Sequence, residues 1–393
     1  MIEEEGGGSK LPDPQFAKRG SYELRLGPEA PEWRRHRDGI FPRVPMIRTT
    51  QVMLSSGFGG AERSFIDTVH SLAEAGHEVQ AICDERFGHL PLLEGVAGVE
   101  VRTLRVRGEW DRFAVWRLRA YLREFQPVVV HTQLRRAASL AGRAASREGI
   151  PVVAKLHNYV NLKAYRFVSR LIATTRDEER YAVKAGWPRE RVQVIPNFTR
   201  MAAVREVRRP ESERPCRLLS YGRLVEKKGF DVLLRAVAKV RASGLPVELR
   251  IGGEGTCRAA LEALRKELAL GEGVEVGAWI DDVPKALDAA DLFVLPSLDE
   301  PFGIVILEAM ARGVPIVSTR TQGPSEVLSA ETSFLAEVGQ VASLAEAIES
   351  AVRSPEGRQE RARKALVEFR KYYSVEAVVP QFLEVYRELS SSS

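Results

Sequence analysis

The chain has 393 residues, 44% apolar and 28% charged, close to a globular average and long enough for two or three domains. No stretch reaches the roughly 18 apolar residues of a spanning helix, and Cys83, Cys216 and Cys257 form neither a CxxC pair nor a metal spacing, which excludes a disulfide scaffold or zinc module and implies a reducing, cytoplasmic setting. The net charge of +5 is uneven: residues 1–45 balance, 46–200 carry +8 and 201–393 carry −3, so an acidic partner is expected at the front half.

Residues 1–45 open acidic, with no apolar core of a secretory signal, and hold Gly6-Gly7-Gly8 and the run Arg34-Arg35-His36-Arg37. Without helical or strand periodicity they read as a disordered extension, and Met46 reads as a natural start. From Gln51 the pattern alternates compact β-branched runs with helical segments. The runs are Gln51–Leu54, Val79–Cys83, Val99–Val101, Val128–Val130, Val152–Ala154 and Val192–Ile195. The helical segments are about 61–75, 111–125, 136–148 and 177–185. Such alternation predicts a doubly wound parallel sheet over 46–198. Pro196-Asn197 and an Arg/Glu-rich stretch then predict a linker at 199–215. The alternation restarts at Arg217–Tyr221 and predicts a second domain of the same type over 216–373, with a closing helix within 374–393. Two such domains place their strand-end loops across a shared cleft.

Three loops carry candidate chemistry. The first, Gly57-Phe58-Gly59-Gly60-Ala61-Glu62-Arg63, follows a strand and opens a helix, where bare backbone can approach a phosphate. Glu62 stands at the third position of a dinucleotide fingerprint and would repel a pyrophosphate, which argues against NAD. The second, Tyr221-Gly222-Arg223 through Lys228-Gly229, sets two cations at a strand–helix junction and suits a departing diphosphate. In the third, Glu300 precedes a helix and Glu308 lies inside it, with the N–H groups of Gly303, Ile304 and Val305 between them as phosphate donors. Glu308 sits among Leu307, Ala309 and Met310, where a charge needs a partner, and a vicinal diol can donate two hydrogen bonds to one carboxylate.

Gly222-Arg223…Lys228-Gly229, Gly252-Gly253-Glu254-Gly255, Pro296-Ser297…Glu300-Pro301-Phe302-Gly303…Glu308-Ala309 and Gly323-Pro324-Ser325-Glu326 stand in an order and spacing that resembles the retaining GT-B glycosyltransferases of family 4, the glycosyltransferase group 1. Gly59-Gly60-Ala61-Glu62 and Pro196-Asn197 match as well, so the resemblance spans about residues 46–390. It implies a GT-B fold and metal-independent, retaining transfer from a nucleotide sugar, with no cofactor. Arg223, Lys228 and Glu300 would be catalytic: the cations hold the diphosphate and Glu300 contacts the transferred sugar. Gly59, Gly60, Gly303, Ile304, Val305 and Glu308 would complete the donor site, with Glu308 on the ribose. The last helix would cross back to the first domain. A UDP-sugar is the expected donor, with GDP and ADP as alternatives.

Many members of that family carry H-x-H where this chain has His131-Thr132-Gln133. Glutamine can hydrogen-bond a sugar but takes no proton near neutral pH. His131, Gln133 and His157 are the acceptor-side candidates. The segment Trp110–Arg123 mixes aromatics with Arg112, Arg117, Arg119 and Arg123, which suits either an interfacial helix at anionic lipid or an ordinary cover of the sheet. The expected acceptor is an acidic glycan or glycolipid, as in lipopolysaccharide or other envelope glycans. A peripheral place on the inner face of the cytoplasmic membrane follows, and no nucleic-acid partner. The rival readings are a nucleotide-sugar epimerase and a non-catalytic partner subunit.

Overall fold

The computed structural model describes residues 45–57, 59–209 and 215–391. The extension expected at 1–45 lies outside them except for Pro45, as do residues 210–214 of the expected linker.

The β-branched runs form two all-parallel sheets buried on both faces, as crossover topology requires. In the first, β1 (Arg48–Met53), β2 (Glu78–Asp84), β3 (Val99–Leu104), β4 (Val129–Gln133), β5 (Val152–Lys155), β6 (Arg170–Ala173) and β7 (Val192–Val194) lie in the order β3-β2-β1-β4-β5-β6-β7. Central β1 pairs on both sides, Val52 facing Ile82 and Thr132. Its covering helices include α1 (Gly60–Glu74), α2 (Arg112–Phe125), α3 (Leu134–Ser146) and α4 (Arg176–Lys184). Asp111 caps α2 by accepting the Ala114 N–H at 2.9 Å, and Thr175 caps α4 by accepting the Glu178 N–H at 3.1 Å.

The second sheet joins β8 (Cys216–Tyr221), β9 (Val247–Gly252), β10 (Val274–Ala278), β11 (Leu292–Leu295), β12 (Ile316–Thr319) and β13 (Phe334–Ala336) in the order β10-β9-β8-β11-β12-β13. Its helices are α5 (Phe230–Ala242), α6 (Arg258–Glu267), α7 (Val283–Ala289), α8 (Ile304–Ala311), α9 (Pro324–Val327), α10 (Val341–Arg353) and α11 (Pro355–Tyr372). Helix α12 (Val375–Ser391) returns to the first sheet. Its Val378, Val379, Phe382, Leu383 and Tyr386 pack with Met53, Phe65, Val69 and Val79 in one apolar core.

Strand order reverses between β1 and β4 and between β8 and β11. Ligands bind beyond the carboxyl ends of the strands at such switch points. The loops after β1, β8 and β11 are the three that the sequence singles out. The fourth switch strand, β4, extends three residues past the expected Val128–Val130, so His131 and Gln133 lie within it rather than after it. Strands β6 and β13 are not among the runs singled out in the sequence: β6 carries one β-branched residue and β13 none.

Candidate active site

Lys228 ends a short turn, and Gly229 follows with φ +63°, a left-handed conformation that glycine adopts without cost. A Cβ there would run into the Pro296 carbonyl, so glycine also permits the close approach of the β8 and β11 loops. Leu298 N and Asp299 N donate to the Lys227 carbonyl at 2.8 and 3.2 Å and pin the two loops together. Lys228 Nζ thereby donates to Glu300 Oε2 at 2.5 Å, and Ser297 Oγ donates to the same oxygen at 3.4 Å. The pair is mostly withdrawn from water, where charge-assisted bonds are strongest. Arg223 lies on the same loop with its side chain exposed.

Gly303, at φ +87°, turns the chain into α8, whose first N–H groups have no side-chain cap. Glu308 lies one turn further and is fully buried. Tyr221 donates its hydroxyl to Glu308 Oε2 at 2.5 Å. Arg63, from α1 of the other domain, places Nη2 2.8 Å from Glu308 Oε1. The arginine offsets the buried charge but is not aligned for a hydrogen bond, which leaves Oε1 open to a hydroxyl donor. Gly60 faces the start of α8: a Cβ on it would lie 3.6 Å from Ile304 Cδ1. The structure therefore gathers Gly59, Gly60, Lys228, Glu300, Gly303, Ile304, Val305 and Glu308 around one cleft.

A second bridge crosses the cleft. Glu326 of α9 accepts the Arg176 and Asp177 N–H groups at 2.7 and 2.8 Å, so a carboxylate from one domain caps a helix of the other.

The acceptor-side candidates separate. Gln133 ends β4 and accepts from His157 Nε2 at 2.5 Å, and both line a cavity of about 310 Å³ at the strand ends. Burial, with Lys155 nearby, holds His157 well below its usual pKa, so its ring is neutral. His131 is a correction: it is fully buried beneath α12, its Nδ1 bonded to the Tyr386 hydroxyl at 2.6 Å, and does not line that cavity. Burial first, and Lys155 second, push its pKa down to about 3. The four arginines of α2 also differ from one another. Arg119 and Arg123 both pair with Glu148, while Trp110, Phe113 and Trp116 are 73%, 81% and 67% exposed.

Four participants were not assigned from sequence. Arg63 and Tyr221 stand inside the first two loops, but their common partner is distant in the chain. Glu326 closes the Gly323-Pro324-Ser325 segment, which carries no local sign of its partner. Lys155 alone left a signal, a lysine inside the apolar run Val152–Leu156. It is fully buried, donates to Ser64 Oγ at 3.0 Å, and burial lowers its pKa to about 7 against the opposing pull of Glu178 and Asp67.

Comparisons with known proteins identify the family. The model for glycosyl transferases group 1 matches residues 205–367, and that for glycosyltransferase family 4 matches residues 58–201. The lipopolysaccharide core biosynthesis glycosyltransferase LpsE of Rhizobium meliloti is 32% identical over 334 residues, covering 83% of this chain and 95% of the relative. The chain belongs to the group 1, family 4 glycosyltransferases. LpsD of the same organism is 31% identical to this glycosyltransferase, over 84% of the chain and 95% of the relative. Anabaena HepE, solved with UDP and glucose, superposes with a TM-score of 0.73 at 22% identity, covering 87% of this chain and all of that one, and shows the GT-B fold.

Proposed function

We propose that this glycosyltransferase moves a hexosyl unit from a UDP-sugar to a hydroxyl of an envelope glycolipid, of the lipopolysaccharide core type, with retention at the anomeric carbon and without a metal. Residues 46–198 would carry the acceptor, 216–373 the donor, with a hinge at 199–215 and the segment 374–393 tying the halves. The observation that carries the reading is the pair of buried carboxylates, Glu300 on Lys228 and Glu308 with one oxygen open, flanking the bare N-terminus of α8. LpsE and LpsD support the acceptor class, and the UDP bound to HepE supports the nucleotide.

Glu308 Oε1 accepts a ribose hydroxyl, and the first N–H groups of α8 meet the diphosphate. Lys228 and Arg223 stabilise the charge that grows as the bond from the anomeric carbon to the phosphate oxygen breaks. Glu300 orients the sugar, so binding energy remote from the bond positions the reacting carbon. The acceptor oxygen attacks from the face the phosphate leaves, and its proton passes to the departing phosphate oxygen. Closure across the Glu326 and Arg63 bridges excludes water and limits hydrolysis.

No helix among the described residues is long and apolar enough to cross a membrane. Exposed Trp110, Phe113 and Trp116, beside Arg112 and Arg117, form the face that would rest on the lipid surface holding the acceptor. The test supplies UDP-, GDP- and ADP-α-hexoses with a lipopolysaccharide core glycolipid and reads the product by proton NMR. Turnover with UDP-hexose and an α linkage supports the reading. A β linkage, or turnover with GDP- or ADP-hexose alone, overturns it.

A further inference from the structure

The cavity at the ends of β1, β4 and β5 has a chemistry of its own. It is lined by Ser55 and Ser56 after β1, by Gln133, by Arg135 and Arg136 in the first turn of α3, and by His157. Glu109 also reaches it and forms an ion pair with Arg135, so two arginines face one carboxylate. Arg136 is half-buried and spends one donor, Nη1, on the Leu54 carbonyl at 3.1 Å. A guanidinium has five, so most of its fork remains unspent.

Two independent features make the cavity a site for negatively charged oxygen. Helix α3 is 13 residues long and no side chain caps its N-terminus, where N–H groups and the helix dipole favour an anion. Gln133 is fully buried, its Oε1 is engaged by His157, and its Nε2 has no partner. A buried amide donor left unpaired is destabilising, and an acceptor oxygen in the cavity would satisfy it. With Gln133 Oε1 placed on His157 Nε2, the ring donates in that bond and the amide nitrogen is left for a cavity ligand.

We propose that this cavity binds an acidic group, carboxylate or phosphate, carried by the acceptor sugar, with its oxygens on Gln133 Nε2, the Arg136 guanidinium and the first turn of α3. The proposal rests on the glycosyltransfer reading and names what the acceptor must carry near its reacting hydroxyl.

The test is titration calorimetry on the full chain at saturating UDP, which fills the donor's own phosphate site. The probes are methyl glucuronide, glucose 6-phosphate, methyl glucoside and inorganic phosphate. The expected result is at least tenfold tighter binding of one charged sugar than of methyl glucoside, and the better of the two tells carboxylate from phosphate. Arg136→Gln and Gln133→Leu should each remove at least fivefold of that preference with UDP binding unchanged. Equal binding of charged and neutral sugars by the wild type overturns the proposal, and this comparison needs no variant to fold. Inorganic phosphate binding as tightly as the charged sugars would mark an adventitious ion only and would also overturn it. Failure of UDP itself to bind would strike the UDP-sugar reading of the donor site, and is read separately in the same series.

Discussion

Single residues in this protein place titratable groups where water does not reach, and Lys155 is the clearest case. Its folded pKa, lowered to about 7, lies below the ordinary lysine value of 10.5. Above pH 7 the folded chain has released a proton that the unfolded chain still holds, so stability rises with pH until the unfolded lysine titrates. Below pH 7 both states hold the proton and the dependence vanishes. A single proton contributes at most about 1.4 kcal/mol per pH unit. The wild type should therefore gain stability relative to Lys155→Met between pH 7 and 10, read as denaturant midpoints. Parallel pH profiles would show that Lys155 keeps an ordinary pKa. The same scale explains what the sequence made legible. Glu308 stood out because a carboxylate amid Leu307, Ala309 and Met310 demands a partner. That Arg63 supplies it from another domain leaves no trace in local spacing.

At the scale of elements, the legible part was whatever repeats with a period. The alternation of β-branched runs and amphipathic segments marked both sheets, and glycines at strand ends marked the site loops. Strands β6 and β13 escaped because β6 carries a single β-branched residue and β13 none, and β4 was read too short because His131 and Gln133 interrupt its valines. The burial of His131 under Tyr386 depends on where α12 docks, a contact across most of the chain. The cap that Glu326 places on α4 is likewise long-range, and it couples helix stability to domain closure. Caps of this kind are worth about 0.5–2 kcal/mol. Glu326→Ala should accelerate hydrogen exchange at the Arg176 and Asp177 amides several-fold and lower turnover, with the melting temperature shifted by only a few degrees. Unchanged exchange at those amides would show that the bridge does not hold in solution.

For the whole molecule, the two sheets, their switch-point loops and the returning helix α12 together make a cleft that belongs to neither domain alone. Glu308 lies in one domain, its charge partner Arg63 in the other, and α12 ties the two. In the proposed reading, donor binding and domain closure would be one event, with the nucleotide gripped by the second domain and enclosed by the first. The central claim is that Lys228 and Glu308 hold the nucleotide diphosphate and its ribose. The most direct measurement is UDP affinity by calorimetry for the wild type, Lys228→Ala and Glu308→Ala, at one pH and ionic strength. Each variant should bind at least tenfold more weakly, because loss of a charge-assisted contact costs about 1.5–3 kcal/mol and 1.4 kcal/mol is already tenfold. Wild-type affinity in both folded variants would contradict the account.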